Sequence, residues 1–141
     1  RFFAGLARDY PQAVRFRAGY DEAHAHWIEA SGDFFLMPSR YEPCGLNQMY
    51  SLRYGTVPIV RRTGGLADTV LNFDRAAGRG TGIVFNDFDT PAMAWAFTRA
   101  LTLYADTSAF VQLVQNGMAQ DFSWGRQAAE YVALYEGLLT R

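Results

Sequence analysis

The chain has 141 residues, half of them hydrophobic, 16% aromatic and 19% charged, which suits one folded domain with a single core and excludes a disordered segment. Thirteen basic and fourteen acidic residues give a formal net charge of −1, and no basic stripe gathers for a phosphate backbone, so no nucleic-acid partner is expected. The lone cysteine, Cys44, makes no internal disulfide, and no apolar run approaches the length of a membrane span, so no membrane partner is expected either.

In chain order, Ala13 to Arg17 alternate apolar and basic residues and predict a half-exposed strand. Asp21 is placed to N-cap a helix from Glu22 to Ala30, which Gly32 ends. Asp33 to Met37 is a short apolar run of the kind buried in parallel sheets. A turn at Pro38, Ser39 and Arg40 leads to Pro43-Cys44-Gly45 and a second helix reaching Tyr54, with Leu46, Met49 and Tyr50 on one side and Gly55 as its C′ residue. Thr56 to Val60 predicts a strand, although Pro58 removes a ladder donor from it.

Thr63-Gly64-Gly65 is a tight connection, Asn72 to Gly82 reads as a flexible glycine-rich loop, and Ile83 to Phe85 predicts the last strand. Three helices close the chain, each with a stripe expected to face the core. The first stripe is Met93, Phe97, Ala100, Leu101 and Tyr104; the second is Phe110, Leu113, Val114 and Met118. The third, capped by Ser123, is Ala128, Tyr131, Val132, Tyr135, Leu138 and Leu139. Strands alternating with helices predict an α/β fold with a Rossmann-like parallel sheet and flanking helices. In such a sheet, ligands sit beyond the carboxyl ends of the strands. The loops around Tyr20, Glu42 to Leu46, and Thr63 to Gly65 each follow a predicted strand and are expected to gather on one edge.

The most informative stretch is Ser39-Arg40-Tyr41-Glu42-Pro43-Cys44-Gly45-Leu46-Asn47-Gln48. The first amides of its helix lack intrahelical partners and carry partial positive charge, which suits a phosphate. Gly45 admits a ligand close to the backbone, and Glu42 suits neutral hydroxyls rather than the phosphate it would repel. The same residues also fit a purely structural reading, with Glu42 favouring the helix dipole and Pro43 at N1, and residue chemistry alone leaves both open. His24 and His26, two apart on a helix, make a poor metal pair. Cys44 lacks a base in view for a nucleophile, Trp27, Trp95 and Trp124 fit packing better than sugar platforms, and Asp68 is placed to cap or brace the segment after Gly65.

The run PSRYEPCGLNQMYSLRYGTVPIVRRTGGLADTV, Pro38 to Val70, with Gly19-Tyr20-Asp21-Glu22 before it and Asp121-Phe122-Ser123-Trp124 after it, resembles the bacterial glycogen synthases and plant starch synthases over nearly the whole chain. The resemblance implies a hexosyltransferase that moves glucose from ADP-glucose (UDP-glucose in some members) to the non-reducing end of an α-1,4-glucan with retention. It implies a GT-B-type protein whose two Rossmann-like domains face a cleft. Residues 1–141 would be most of the C-terminal donor-binding domain, ending in helices from about 91 to 141, with the N-terminal acceptor domain absent. The opening on Arg1 rather than Met fits a piece of a longer protein, inactive alone.

Carried over by position, Glu42 would be the catalytic carboxylate that holds donor glucose hydroxyls and stabilises charge at the anomeric carbon. Backbone amides around Cys44, Gly45, Leu46 and Asn47 would bind the glucose and distal phosphate, Tyr20 would stack on adenine, and Thr63, Gly64 and Gly65 would line the donor pocket. No metal and no cofactor beyond the donor substrate are implied, and the expected location is cytoplasmic, or plastid for a plant-type chain. Tyr50 stands where the broader superfamily has a second glutamate, a gap that glycogen and starch synthases share. Asn47 is the plant-type residue at a position where many bacterial synthases have threonine, whereas Arg61-Arg62 looks bacterial. The alternative is a non-catalytic nucleotide-sugar-binding or sensing module using the same loops, and what precedes Arg1 separates the two.

Overall fold

The computed structural model describes residues 1–140; Arg141, the last residue of the expected domain, lies outside them. Three strands, β1 (Phe34–Met37), β2 (Val57–Arg61) and β3 (Ile83–Phe85), form a parallel sheet in the order β1-β2-β3. Around it are α1 (Phe2–Asp9), α2 (Glu22–Ser31), α3 (Asn47–Tyr54), α4 (Gly64–Thr69), α5 (Thr90–Ala105), α6 (Thr107–Met118) and α7 (Trp124–Leu139). The α/β expectation holds. Side chains alternate across the sheet: Val57, Ile59, Ile83 and Phe85 pack with Ala96, Ala100 and Leu103 of α5 and Leu113 of α6. Val60 and Val84 face the other way, onto Leu66 and Val70.

Pro58 sits in the central strand, opposite Phe35. The Val57 N–H donates to the Asp33 carbonyl on the β1 side, so Pro58, one residue on, turns its missing donor toward β3. There the ladder begins only at Ile83 opposite Ile59, and no bond is lost. Gly82 lies against Pro58, where a β-carbon would stand 2.6 Å from the Pro58 carbonyl oxygen. The local signals for the helices around the sheet act as expected. The Asp21 side chain accepts the His24 N–H at 3.0 Å to cap α2, and Gly55 ends α3 with φ +85°.

Five expectations are overturned, wholly or in part. Residues 13–17 form no strand: the N–H groups of Ala13 and Val14 donate back to the Tyr10 carbonyl in a turn, and no ladder joins the segment to the sheet. The Asn72–Gly82 loop is braced rather than loose. Phe73 is buried in the core, the Asn72 side chain accepts the Val84 N–H, and Asn116 donates to the carbonyls of Gly78 and Gly80. On α5 Ala100 is buried as expected, but its inward companions are Ala96 and Leu103, while Phe97, Leu101 and Tyr104 are exposed; the two alanines let the helix approach β3 closely. The α7 stripe buries none of its residues within the described chain. On α6, Leu113 is buried with Phe110 and Val114 beside the core, as expected, but Met118 is exposed.

Phe73, 1% exposed, is the loop's anchor. Phe73→Ala is expected to cost about 3–5 kcal/mol and release the loop; a shift of the denaturant midpoint worth under about 1 kcal/mol would show that the loop is held by its polar bonds instead.

Candidate functional site

All three strands are parallel, so their carboxyl ends open on one edge. The loop after β1 carries Glu42 to Leu46, and the loop after β2 carries Thr63 to Gly65. The two are in direct contact: the Gly65 N–H donates to the Glu42 carbonyl at 3.0 Å. A β-carbon on Gly64 would collide with the Glu42 carbonyl, and one on Gly65 with the Cys44 backbone. Gly64 also has φ +43°, a conformation that a side chain strains.

Arg61, at the end of β2, holds the edge from beneath. Its guanidinium donates to the carbonyls of Ser39 and Arg40 in the first loop and to the Asn86 carbonyl after β3. Arg61 and Arg40 both lie over the Phe88 ring, at 5.5 and 5.2 Å from its centroid. Arg61 is therefore spent on structure, whereas Arg62 is exposed, its Nε donating to the Asn86 side chain.

Above this frame, the Glu42 side chain is half-buried and has no hydrogen-bond partner among the described residues. The N–H groups of Cys44, Gly45, Leu46 and Asn47 likewise have no acceptor there, as expected at the start of α3. Gly45 has φ +75°. Tyr20 follows no strand, so the expected reason for its placement fails, yet it arrives at the site. The packing of α2 on α3 carries it to a cleft of about 330 Å³ that it lines with Leu46, Asn47, Tyr50, His26 and Glu29. Its ring is 89% exposed, an open platform.

His26 makes no metal pair with His24; its Nδ1 lies 3.1 Å from the Tyr54 hydroxyl and its ring rests against Tyr50 and Tyr54. Cys44 is exposed with its Sγ near the Gly45 carbonyl, and Asp68 is exposed with no hydrogen-bond partner among the described residues. The tryptophans do not pack as expected: Trp27, Trp95 and Trp124 are all exposed. Among the described residues, no three His, Cys, Asp or Glu side chains gather as a metal site, and no helix is long and apolar enough to cross a membrane.

Two residues at the site went unassigned from sequence. Gln48 is fully buried under the Cys44–Gly45 turn. Glu29 is buried on α2 while its neighbours Trp27 and Ile28 are exposed, the reverse of what residue polarity signals. Burial raises the Glu29 carboxyl above the ordinary 4.5, opposed by the charge of His26 and a hydrogen bond from Asn47.

No family model matches the chain. Against curated proteins, it is 58% identical over 136 residues to a glycogen synthase of Anaeromyxobacter sp. (strain K), covering 96% of this chain and 28% of that protein. It is 56% identical over 138 residues to the glycogen synthase of Thioalkalivibrio sulfidiphilus, covering 96% and 29%. The chain thus spans less than a third of the length of the curated relatives it matches. Among solved structures, the catalytic domain of starch synthase IV from Arabidopsis thaliana, bound to ADP and acarbose, superposes with a TM-score of 0.87 at 39% identity, covering all of this chain and 30% of that one. A sucrose-phosphate synthase from Thermosynechococcus elongatus gives 0.69 at 27% identity, covering 97% and 33%. The resemblance to glycogen and starch synthases and the Rossmann-like α/β fold both stand.

Gly64→Ala is expected to lower stability by at least about 1–2 kcal/mol, from the left-handed conformation alone, before the clash with Glu42 is added. Unchanged thermal unfolding would mean that the two loops are free to part. For Glu29, a raised carboxyl favours the protonated form in the folded state. Its contribution is complete below pH 4.5 and lost as pH rises through the folded value. Glu29→Gln is therefore expected to unfold at a higher denaturant concentration than the parent at pH 7 and at a similar one at pH 4; a gap that widens toward pH 4 would reverse the sign.

Proposed function

We propose that this chain is part of a glycogen synthase and carries most of the site for its activated-sugar donor. In this reading, residues 1–141 are most of the C-terminal domain of a two-domain, GT-B-type glycosyltransferase. The intact enzyme passes glucose from ADP-glucose to the non-reducing end of an α-1,4-glucan with retention. The missing N-terminal domain faces this edge, supplies basic groups for the diphosphate and admits the glucan. A cytoplasmic location goes with this reading, as does the bacterial type, given the identities of 56–58% to bacterial relatives against 39% to the plant structure.

The observation that carries the proposal is the meeting of the half-buried Glu42 carboxylate with the unpaired N–H groups of Gly45 and Leu46, against the two glycines after β2. The N–H groups bind the distal phosphate, which they can reach because Gly45 has no side chain. Gly64 and Gly65, next to Thr63, keep the floor of the pocket low. Tyr20 offers its exposed ring to the adenine, with the cleft toward Asn47 between the two subsites. Glu42 is adjacent to the anion site but cannot serve as a phosphate ligand. It accepts hydroxyl hydrogens of the glucose instead, and its charge opposes the positive charge that grows at the anomeric carbon as the bond to the phosphate oxygen breaks.

In the intact enzyme, Glu42→Ala is expected to lower kcat by about 10²–10³ with the fold retained, and near-normal turnover would reduce Glu42 to a residue that merely favours the helix dipole. The 141-residue chain alone is expected to bind ADP at roughly millimolar strength, from one stacked ring and half a phosphate site, and to transfer no glucose. Amide shifts at Tyr20, Gly45 and Leu46 on titration of the isotope-labelled chain check this. Glucan extension by the chain alone would refute the two-domain reading.

A further inference from the structure

Gln48 is 0% exposed, in a place where an apolar side chain would pack at no polar cost. Its amide Nε2 carries two hydrogens and has three acceptors in reach, so one hydrogen is shared: the Cys44 carbonyl at 3.2 Å, the Gly45 carbonyl at 2.9 Å and the Thr69 hydroxyl oxygen at 3.1 Å. The Thr69 hydroxyl spends its own proton on the Gly65 carbonyl, 2.6 Å away, so toward Gln48 it can only accept. The bonds run without interruption from Gly65 through Thr69 and Gln48 to Gly45 and Cys44. Both loops of the edge are joined by one buried amide.

The orientation of that amide has a geometric consequence. All peptide bonds here are trans, so each carbonyl points opposite to the N–H that shares its plane. The Cys44 carbonyl shares a plane with the Gly45 N–H, and the Gly45 carbonyl with the Leu46 N–H. With both carbonyls turned inward to Gln48, both N–H groups are turned outward, and neither has a partner among the described residues. Gln48 also accounts for Gly45: a β-carbon there would stand 2.5 Å from the Gln48 Oε1, which is itself buried without a partner.

We infer that Gln48 is a positioning residue of the donor site, a buried amide that aims the Gly45 and Leu46 N–H groups at the distal phosphate of a nucleoside diphosphate and holds that turn in register with Gly65. The inference rests on the donor-site reading given above. Gln48 touches no ligand; it acts through the backbone.

The test compares ADP with AMP, which lacks the distal phosphate, by calorimetric titration of the intact enzyme. Three variants are used: Gln48→Leu keeps the volume without the amide, Gln48→Glu keeps the shape without its donors, and Thr69→Val cuts only the outer arm. In the parent, ADP binds more tightly than AMP. In Gln48→Leu and Gln48→Glu, ADP affinity is expected to fall by about 10–100-fold while AMP affinity holds, and the donor KM rises to match. Thr69→Val is expected to narrow the gap by a smaller factor. A role confined to folding would lower thermal stability and leave the ADP-to-AMP ratio intact. Folded Gln48 variants with the parent's ratio would therefore overturn the inference, and if neither folds, an unchanged ratio in Thr69→Val does so. A parent enzyme that binds ADP no better than AMP would instead overturn the donor-site reading itself.

Discussion

Gly64 and Gly65 lie against the backbone of Glu42, Pro43 and Cys44 so closely that neither position has room for a β-carbon. The rest of the edge depends on that contact. It sets the height of the α4 turn against the start of α3. Two side chains hold the contact from different sides. Arg61 ties the loop after β1 to the loop after β3 from the sheet end, and Gln48 ties the loop after β1 to α4 from within. Both ties are made entirely within the chain.

The polar groups of the edge divide into paired and unpaired. Arg61, half-buried, and Gln48, fully buried, donate to backbone carbonyls of the loops, while the half-buried Glu42, the exposed Tyr20 and the amides of the α3 turn have no partner among the described residues. Arg61 directs its Nε and both terminal nitrogens at the carbonyls of Ser39, Arg40 and Asn86.

α2 shows how packing overrides residue polarity. Trp27 and Ile28 are exposed, and Glu29 is buried against the start of α3, near His26 and Asn47. The helix turns its acidic side to α3 because the Thr56 hydroxyl, at the foot of β2, bonds the carbonyls of Glu29 and Gly32 and fixes the rotation of its last turn. That rotation also brings Tyr20, just before the Asp21 cap, over the cleft.

Local chemistry was enough for much of this protein. The Asp21 cap, the Gly55 stop, the three short apolar strands and the placing of Glu42 and Gly64 on one edge are legible in the chain, since each depends on neighbours in sequence or on the parallel order of the strands. The motif from Pro38 to Val70 marks the site for the same reason: its residues are consecutive, and their spacing is their geometry. Tertiary structure alone decided what depends on a partner distant in sequence. Residues 13–17 alternate like a strand but have no neighbouring strand to pair with among the described residues, and the glycine-rich loop is held by Phe73 and by Asn116 on a helix far along the chain. Gln48 is an ordinary helix residue until Thr69 is seen beneath it. The stripe on α7 shows the same limit, because a period of 3.6 residues tells which side of a helix is apolar and nothing of what lies against it.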